Sequence, residues 1–204
     1  HSSYPMVFRM GSESSVTYSI HIYDAQLDMF LIRGPSYKHI LKRYSELTGF
    51  APVPPKWSFG FWISRAGYRS RAEVETVIRE MSSRGFPCDV LHLDPWWMGE
   101  GPWCNYQWDE TQFPQPEEMM AWMREQGIRT CLWIHPYIPV ETPLYYEGEQ
   151  AGYFVKKANG DVSPVIEAFS GENLGAVDFT NPSAVVWWQS KLERLLDMGV
   201  AVFK

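Results

Sequence analysis

The sequence has 204 residues, of which 45% are hydrophobic and 21% are charged, and its 24 acidic residues outnumber 18 basic ones. A chain of this length and apolar content can bury a substantial core, which argues against a disordered protein. Because it has no run of Lys or Arg, it lacks the basic surface that DNA, RNA or an anionic membrane would bind, and we expect neither nucleic acid nor a membrane as a partner.

The N-terminal part of the chain carries short stretches that are typical of β-strands, among them 16–23 and 29–33. These stretches lie upstream of the first helical pattern. We therefore assign residues 1–34 to the C-terminal part of a β-sandwich-like N-terminal domain.

A helix is predicted over 36–48, since its apolar residues recur on one stripe and Gly49 follows as a cap. The proline-rich segment 51–55 then predicts a stiff connection to the next element. Residues 35–56 are accordingly interpreted as a helix followed by a linker.

From residue 57 onward one pattern repeats: an apolar run, a loop, an amphipathic helix and a glycine. The apolar runs are 57–63, 90–93, 130–134 and 200–203, and the helices begin near Ser70, Pro116 and Asn181 and are closed by Gly85, Gly127 and Gly199. Runs that are apolar throughout favour parallel strands covered on both faces. We predict an α/β fold in which 57–204 form the first four units of a (β/α)8 TIM barrel. A doubly wound sheet is disfavoured, because no Gly-rich phosphate loop follows any strand.

The connection after the third apolar run is too long for an ordinary loop. Within it, 153–157 and 162–166 flank Ala-Asn-Gly-Asp at 158–161, which is a hairpin signal. The sequence therefore predicts an inserted hairpin loop at about 139–176, overhanging the barrel mouth.

The three cysteines, Cys88, Cys104 and Cys131, are too far apart for a zinc or CxxC spacing. We expect buried free thiols, and neither a disulfide nor a metal. No stretch is long and apolar enough for a membrane span or a signal peptide, so a cytoplasmic location is expected. Because the chain starts at His1 and ends at Lys204 directly after an apolar run, both ends are interpreted as cuts in a longer protein.

In a barrel, functional groups follow the C-terminal ends of the strands. Here Asp94 comes directly after four apolar residues and is followed by a loop containing Trp96, Trp97, Trp103, Tyr106 and Trp108. Carboxylates bind sugar hydroxyl pairs and aromatic faces stack on the C–H side of a pyranose, so this composition favours a sugar site. The alternative, that the rings only pack the rim and Asp94 caps a loop, stays open.

Four other polar residues are weaker candidates. Asp89 precedes its strand at the opposite end of the barrel, and Asp178 lies in a helix-entry sequence. His92 and His135 lack a second ligand at metal spacing, so packed histidines are expected.

A series of ordered motifs between about Pro35 and Lys204 resembles glycoside hydrolase family 31, and most closely its bacterial α-xylosidase branch. They include Pro55-Lys56-Trp57, Leu93-Asp94 with Trp97-Met98, Trp103-Cys104 through Trp108-Asp109, Trp133-Ile134, Val177 through Pro182, and Met198-Gly199 through Phe203-Lys204. The resemblance implies that Asp94 binds sugar hydroxyls, that Trp133 lines the pocket of the non-reducing sugar, and that Lys204 is the lysine of the family's Phe-Lys-Thr-Asp-Phe-Gly-Glu motif. Trp96, Trp103 and Tyr68 are further candidates for substrate binding, although the first loop is shorter than in near relatives.

The family's nucleophile is the aspartate two residues beyond that lysine, and its general acid/base lies further downstream. We therefore expect no catalytic residue in this chain, no activity of the chain alone, and no cofactor. The resemblance implies a parent enzyme, a retaining α-glycosidase of oligosaccharides or small α-glycosides. Whether the parent is a homo-oligomer is left open.

The preferred sugar follows from the residues after Asp94. The glucosidase branch resembles Asp-x-Asp-Tyr-Met there, whereas this chain has the bulky Pro95-Trp96-Trp97. An aromatic wall would occupy the space of the C6 hydroxymethyl group, which favours xylose over glucose. The alternative function is a non-catalytic carbohydrate-binding or structural fragment.

Overall fold

The computed structural model describes residues 4–166, 171 and 173–204. These form two compact units that meet in sequence between Val53 and Pro54. The predicted domain 1–34 and the predicted insertion 139–176 each include residues outside the described ones, namely 1–3, 167–170 and 172.

The first unit contains an antiparallel pair, β1 (Met6–Met10) and β2 (Tyr18–Ile22), and one helix, α1 (Tyr37–Thr48). The predicted strand at 16–23 and the predicted helix are confirmed, the latter with Gly49 N–H bonded to Ser45 O at 2.8 Å. The predicted stretch at 29–33 is wrong, because it forms no regular element.

The second unit is built on a parallel sheet of four strands in the order β3-β4-β5-β9. These strands are β3 (Trp62–Ser64), β4 (Val90–Leu93), β5 (Arg129–Leu132) and β9 (Val202–Phe203), and the helices between them are α2 (Arg71–Ser83), α3 (Pro116–Glu125) and α5 (Pro182–Met198). The predicted alternation of strand and helix is therefore confirmed. The core lies between sheet and helices, where Leu91 and Leu93 are fully buried with Val74 and Met119.

Local chemistry explains where α2 begins. Ser70 is extended and its side chain accepts a hydrogen bond from Glu73 N at 3.2 Å, while Glu73 Oε2 accepts one from Arg69 N at 2.8 Å. Ser70 thus satisfies one backbone donor that the first turn of α2 leaves free, while Glu73 binds the chain one residue before the cap.

The first predicted strand, 57–63, is wrong over most of its length. Residues Lys56–Phe59 form a short 3₁₀ helix instead, and β3 starts only at Trp62. Pro55 O accepts hydrogen bonds from both Ser58 N, at 2.9 Å, and Ser58 Oγ, at 2.8 Å. These bonds turn the chain before it can extend.

The long third connection forms a small subdomain. It contains β6 (Tyr137–Pro139), α4 (Pro143–Gln150), β7 (Pro164–Ile166) and β8 (Asn173–Ala176), whose strands form an antiparallel sheet in the order β6-β8-β7. The predicted turn is present, with Lys157 N bonded to Asp161 O at 2.8 Å. The predicted hairpin pairing is mostly absent, because β7 pairs with β8 and only Lys156 bridges Val162.

The described part of the chain also shows whether a helix could span a membrane and whether the cysteines are paired. None of its helices is long and apolar enough to cross a membrane. All three cysteines are free thiols, as predicted, with Cys104 and Cys131 buried and Cys88 half-buried.

Candidate functional site

Strand register aligns three of the predicted site residues in one row. Leu93 pairs with Leu132 and Leu132 pairs with Phe203, so the next residues, Asp94, Trp133 and Lys204, follow side by side. Backbone bonds hold this row, since Trp133 N donates to Leu93 O at 2.8 Å and Lys204 N donates to Leu132 O at 2.9 Å. The row lies at the C-terminal end of the parallel sheet.

Both oxygens of the Asp94 carboxylate have a partner. Lys204 Nζ lies 3.2 Å from Oδ1, and Ser64 Oγ donates to Oδ2 at 3.5 Å. The Asp94 side chain is 18% exposed and that of Lys204 is 60% exposed. The carboxylate is thus oriented yet open at the mouth, where its remaining lone pairs can accept hydrogen bonds from hydroxyl groups.

His92 lies on the same side of β4 as Asp94, because side chains two residues apart on a strand share a face. It is buried, and its Nδ1 is 2.7 Å from Ser64 Oγ and 3.6 Å from Asp94 Oδ2. Burial lowers the pKa of His92, with the Asp94 charge opposing this effect and the Lys204 charge adding to it. Nε2 has no hydrogen-bond partner among the residues that the structure describes.

An aromatic series flanks the carboxylate. The Trp133 and Trp103 ring centroids are 6.1 Å apart, and those of Trp103 and Trp96 are 5.7 Å apart, both edge to face. Trp103 is fixed further by its indole N–H, which donates to Gly99 O at 3.0 Å. All three rings are half-buried, so each is packed and keeps part of its surface accessible.

The two tryptophans after Pro95 differ in role. Trp97 is fully buried, donates its indole N–H to Trp133 O at 3.0 Å, and packs edge to face on Trp108 at 5.0 Å. Trp96 instead lies over the loop after β3, where a Cβ on Gly67 would be 3.5 Å from its ring. The Arg69 guanidinium covers Trp96 at 4.8 Å. Trp97 therefore supports the site from the core, and Trp96 is the ring at the rim.

Two tyrosines belong to the core. Tyr68 is 1% exposed and lies under the Arg65 guanidinium at 5.1 Å, so its ring is not open to a ligand in this structure. Tyr106 is buried, donates its hydroxyl to His135 O at 2.7 Å and accepts from Trp188 Nε1 at 2.8 Å. Burial strongly raises the pKa of Tyr106, so this phenol stays neutral.

The remaining acids of interest have structural contacts. Asp89, which precedes β4, accepts from Phe61 N at 2.7 Å, and a Cβ on Gly60 would lie 2.3 Å from its carboxyl carbon. The half-buried Asp178 accepts from the Thr180 hydroxyl at 2.6 Å, a bond that lowers the pKa of Asp178. Neither is near the Asp94 row by these contacts.

The structure thus brings together Asp94, Lys204, Trp133, Trp103 and Trp96, and it places Tyr68 in the core. In the part of the chain that the structure describes, no group of His, Cys, Asp and Glu side chains is arranged to hold a metal ion. Sequence reasoning missed Ser64 and treated His92 only as a packed residue. The sequence did contain a signal for His92: it is two residues from Asp94, and side chains at that spacing share one face of a strand.

A family model for the glycosyl hydrolases family 31 TIM-barrel domain matches residues 51–204. The chain is 40% identical over 200 residues to the α-xylosidase XylQ of Lactiplantibacillus pentosus. This alignment covers 97% of this chain and 26% of XylQ. It is 31% identical over 176 residues to α-glucosidase 2 of Bacillus thermoamyloliquefaciens, covering 85% of this chain and 22% of that one.

Solved structures of family 31 enzymes also match this chain. A family 31 dextranase of Flavobacterium johnsoniae, complexed with glucose, matches with a TM-score of 0.85 and 29% identity over 98% of this chain and 25% of its own. A family 31 α-xylosidase from a soil metagenome, complexed with xylose, matches with a TM-score of 0.69 and 31% identity over 80% of this chain and 24% of its own. The predicted TIM-barrel fold class is confirmed. The chain spans about a quarter of the length of the relatives it matches.

Proposed function

Since the chain belongs to glycoside hydrolase family 31, we propose that it supplies the sugar-binding half of the barrel of a retaining α-glycosidase that removes non-reducing α-linked xylose. The observation that carries this proposal is the Asp94 carboxylate, held by Lys204 and Ser64 beside the rings of Trp103 and Trp133. An oriented carboxylate next to aromatic faces is the chemistry that recognises a pyranose.

The contacts of Asp94 support a binding role over a catalytic one. Retaining hydrolysis needs a nucleophile and an acid/base about 5 Å apart across the glycosidic bond. Asp94 has its oxygens committed to a lysine and a serine, so its remaining lone pairs accept hydrogen bonds from sugar hydroxyls. The Lys204 ammonium lies 3.2 Å from one oxygen of the carboxylate and places an opposite charge beside it. The two catalytic carboxylates are proposed to lie in the rest of a longer protein.

The preference for xylose is supported by Trp96. This ring is at the rim, is braced by Trp103, and is covered by Arg69, so it cannot easily move aside. Xylose lacks the C6 hydroxymethyl group that such a wall would exclude. Relatives named α-xylosidase and relatives named α-glucosidase both match the chain, so glucose is the competing substrate.

The first test is hydrolysis of p-nitrophenyl α-xyloside by the full-length protein, followed by proton NMR of the first product. A retaining enzyme releases α-xylose, which mutarotates later. Early β-xylose would contradict a retaining mechanism.

The second candidate function is non-catalytic carbohydrate binding by the same aromatic rim. The exposed parts of Trp96, Trp103 and Trp133 favour it for the 204-residue chain taken alone, which we expect to be inactive. A full-length protein that binds xylosides without releasing p-nitrophenol would establish this function instead.

A further inference from the structure

We propose that His92 and Ser64 are positioning residues, which aim the Asp94 carboxylate at the sugar through a directed chain of hydrogen bonds from His92 Nδ1 to Ser64 Oγ to Asp94 Oδ2. This inference rests on the proposed function in one respect, that Asp94 binds the substrate. Neither side chain is proposed to touch the sugar, and both act through Asp94.

The distances define the chain of bonds. Ser64 Oγ is 2.7 Å from His92 Nδ1 and 3.5 Å from Asp94 Oδ2. The direct distance from His92 Nδ1 to Asp94 Oδ2 is 3.6 Å, longer than either contact of the serine hydroxyl. The serine hydroxyl therefore lies between the two groups and connects them. Two strands contribute, since Ser64 ends β3 and its register partner is His92 on β4.

The available protons determine the direction in which these hydrogen bonds run. A serine hydroxyl has one proton, and an ionised carboxylate can only accept. If Ser64 gave its proton to His92, a lone pair of Oγ would face Asp94 Oδ2, which is repulsive. If Ser64 gives its proton to Asp94, its oxygen accepts one from His92. The second arrangement is the one that satisfies both contacts, and it requires a hydrogen on Nδ1.

A neutral ring with that hydrogen also fits the surroundings. The titratable groups facing His92 are Asp94 on its own strand, Cys131 on β5 and Lys204 after β9, with the Ser64 hydroxyl on β3. Burial raises the pKa of the Cys131 thiol to about 11, so this group is uncharged. With the proton on Nδ1, Nε2 is a bare lone pair, and this buried atom has no hydrogen-bond partner in the described part of the chain.

The consequence for Asp94 is that each oxygen is held from a different side. Lys204 holds Oδ1 at 3.2 Å and the Ser64 hydroxyl holds Oδ2, which fixes the plane of the carboxylate. A group held in its productive orientation before the substrate arrives has less freedom to lose on binding. Loss of the serine contact would free the carboxylate to rotate about its side-chain bonds.

The test compares two amide replacements of His92 in the full-length enzyme. The amide nitrogen of His92→Asn takes the place of Nδ1, whereas that of His92→Gln reaches toward the Nε2 position. We expect His92→Asn to keep kcat/KM for p-nitrophenyl α-xyloside within about threefold, and His92→Gln and Ser64→Ala to lower it by roughly tenfold or more. In a Ser64→Ala background, replacing His92 should have little further effect. Equal losses in the two amide variants, or a full His92 effect without Ser64, would overturn the proposal.

A second measurement does not depend on catalysis. In the full-length protein labelled with ¹⁵N-histidine, the ring nitrogen shifts report the tautomer, and the His92→Asn variant identifies the His92 signals by their loss. We expect a hydrogen on Nδ1 and none on Nε2. The opposite tautomer would refute the proposed hydrogen bonds from His92 through Ser64 to Asp94. If the unmutated protein proves inactive, the proposed function fails while the tautomer still decides this inference.

Discussion

Asp94 and Asp89 lie at opposite ends of one strand and have different contacts. Asp94 faces the mouth with Lys204 and Ser64, whereas Asp89 holds the backbone N–H of Phe61 at 2.7 Å. If the proposed function holds, Asp94→Ala in the full-length protein should lower kcat/KM by on the order of 10²-fold or more, about 3 kcal/mol of transition-state stabilisation. Steady-state kinetics on p-nitrophenyl α-xyloside measure this loss.

Asp89→Ala is the matched control. It should leave kcat/KM nearly unchanged and lower the free energy of unfolding by about 1 to 3 kcal/mol, because the Phe61 N–H loses its partner. Urea unfolding gives that value. Equal kinetic losses at Asp89 and Asp94 would mean that the mouth has been assigned to the wrong end of the barrel.

The lowered pKa of His92 predicts a dependence of stability on pH. The unfolded ring binds a proton near its ordinary value of 6.5, whereas the buried ring stays neutral to lower pH. The unfolded state therefore holds more protons in this window, and the free energy of unfolding falls as pH decreases from about 6.5 toward the folded pKa. Urea titrations between pH 7 and pH 5, run on the full-length protein and on His92→Asn, should show a steeper slope in the unmutated protein.

Two carboxylates affect the stability in a different pH range. The pKa of Glu75 is lowered by Arg71 and that of Glu147 by Lys191, both from an ordinary 4.5, so their contribution to stability is lost only at more acidic pH. An unchanged slope between pH 7 and pH 5 in His92→Asn would show that other groups cause it.

At the residue scale, the sequence predicted the groups that follow the strands but not those beside them. Asp94, Trp133 and Lys204 were accessible because each directly follows an apolar run, and the family resemblance gave each a role. The spacing of two residues could have linked His92 to Asp94, whereas Ser64 required the register of β3 against β4, which sequence periodicity does not determine. Tyr68 follows a strand too, yet packing takes it into the core.

At the scale of elements, the predicted secondary structure is wrong where side-chain contacts outweigh the hydrophobic pattern of the sequence. Helix α4 was not predicted, since its sequence contains Gly148 and no clear apolar period. It forms because Thr142 caps it, accepting from Tyr145 N at 3.2 Å, and because Gly148 lets it approach other rings closely. The sequence 57–63 has the apolar content of a strand, and the bonds to Pro55 O turn part of it into a 3₁₀ helix.

The packing of α4 predicts an unusual result for Gly148→Ala. Alanine normally stabilises a helix interior by up to about 1 kcal/mol over glycine. Here the new Cβ would lie 2.7 Å from Phe154 Cζ and 2.9 Å from Trp187 Cη2. Overpacking of this kind costs about 1 to 3 kcal/mol, so we expect a lower melting temperature.

Gln150→Ala, on the exposed part of the same helix, is the control and should change the free energy of unfolding by less than about 0.5 kcal/mol. Thermal unfolding followed by circular dichroism measures both variants. A Gly148→Ala protein as stable as the unmutated one would show that Phe154 and Trp187 move apart at little cost.

At the scale of the whole molecule, the parallel sheet has two open edges. Among the described residues, β3 pairs only with β4 and β9 only with β5. Unpaired edge strands with apolar side chains promote association between chains. We therefore expect the 204-residue chain alone to self-associate in analytical ultracentrifugation and to hydrolyse no aryl α-glycoside. A cooperative monomer would contradict the half-barrel account, and turnover above background would contradict the site assignment.

We propose above that Asp94 is the base of an α-xylosidase site and that Trp96 is its wall at C6. A missing favourable contact discriminates by about 1 to 3 kcal/mol, and a steric clash adds to this, so a preference above about 10²-fold is expected. The most direct measurement is kcat/KM of the full-length enzyme for p-nitrophenyl α-xyloside against p-nitrophenyl α-glucoside, repeated with Trp96→Ala. We expect a strong preference for the xyloside and a gain of glucoside activity in the variant. Better turnover of the glucoside by the unmutated enzyme would contradict it.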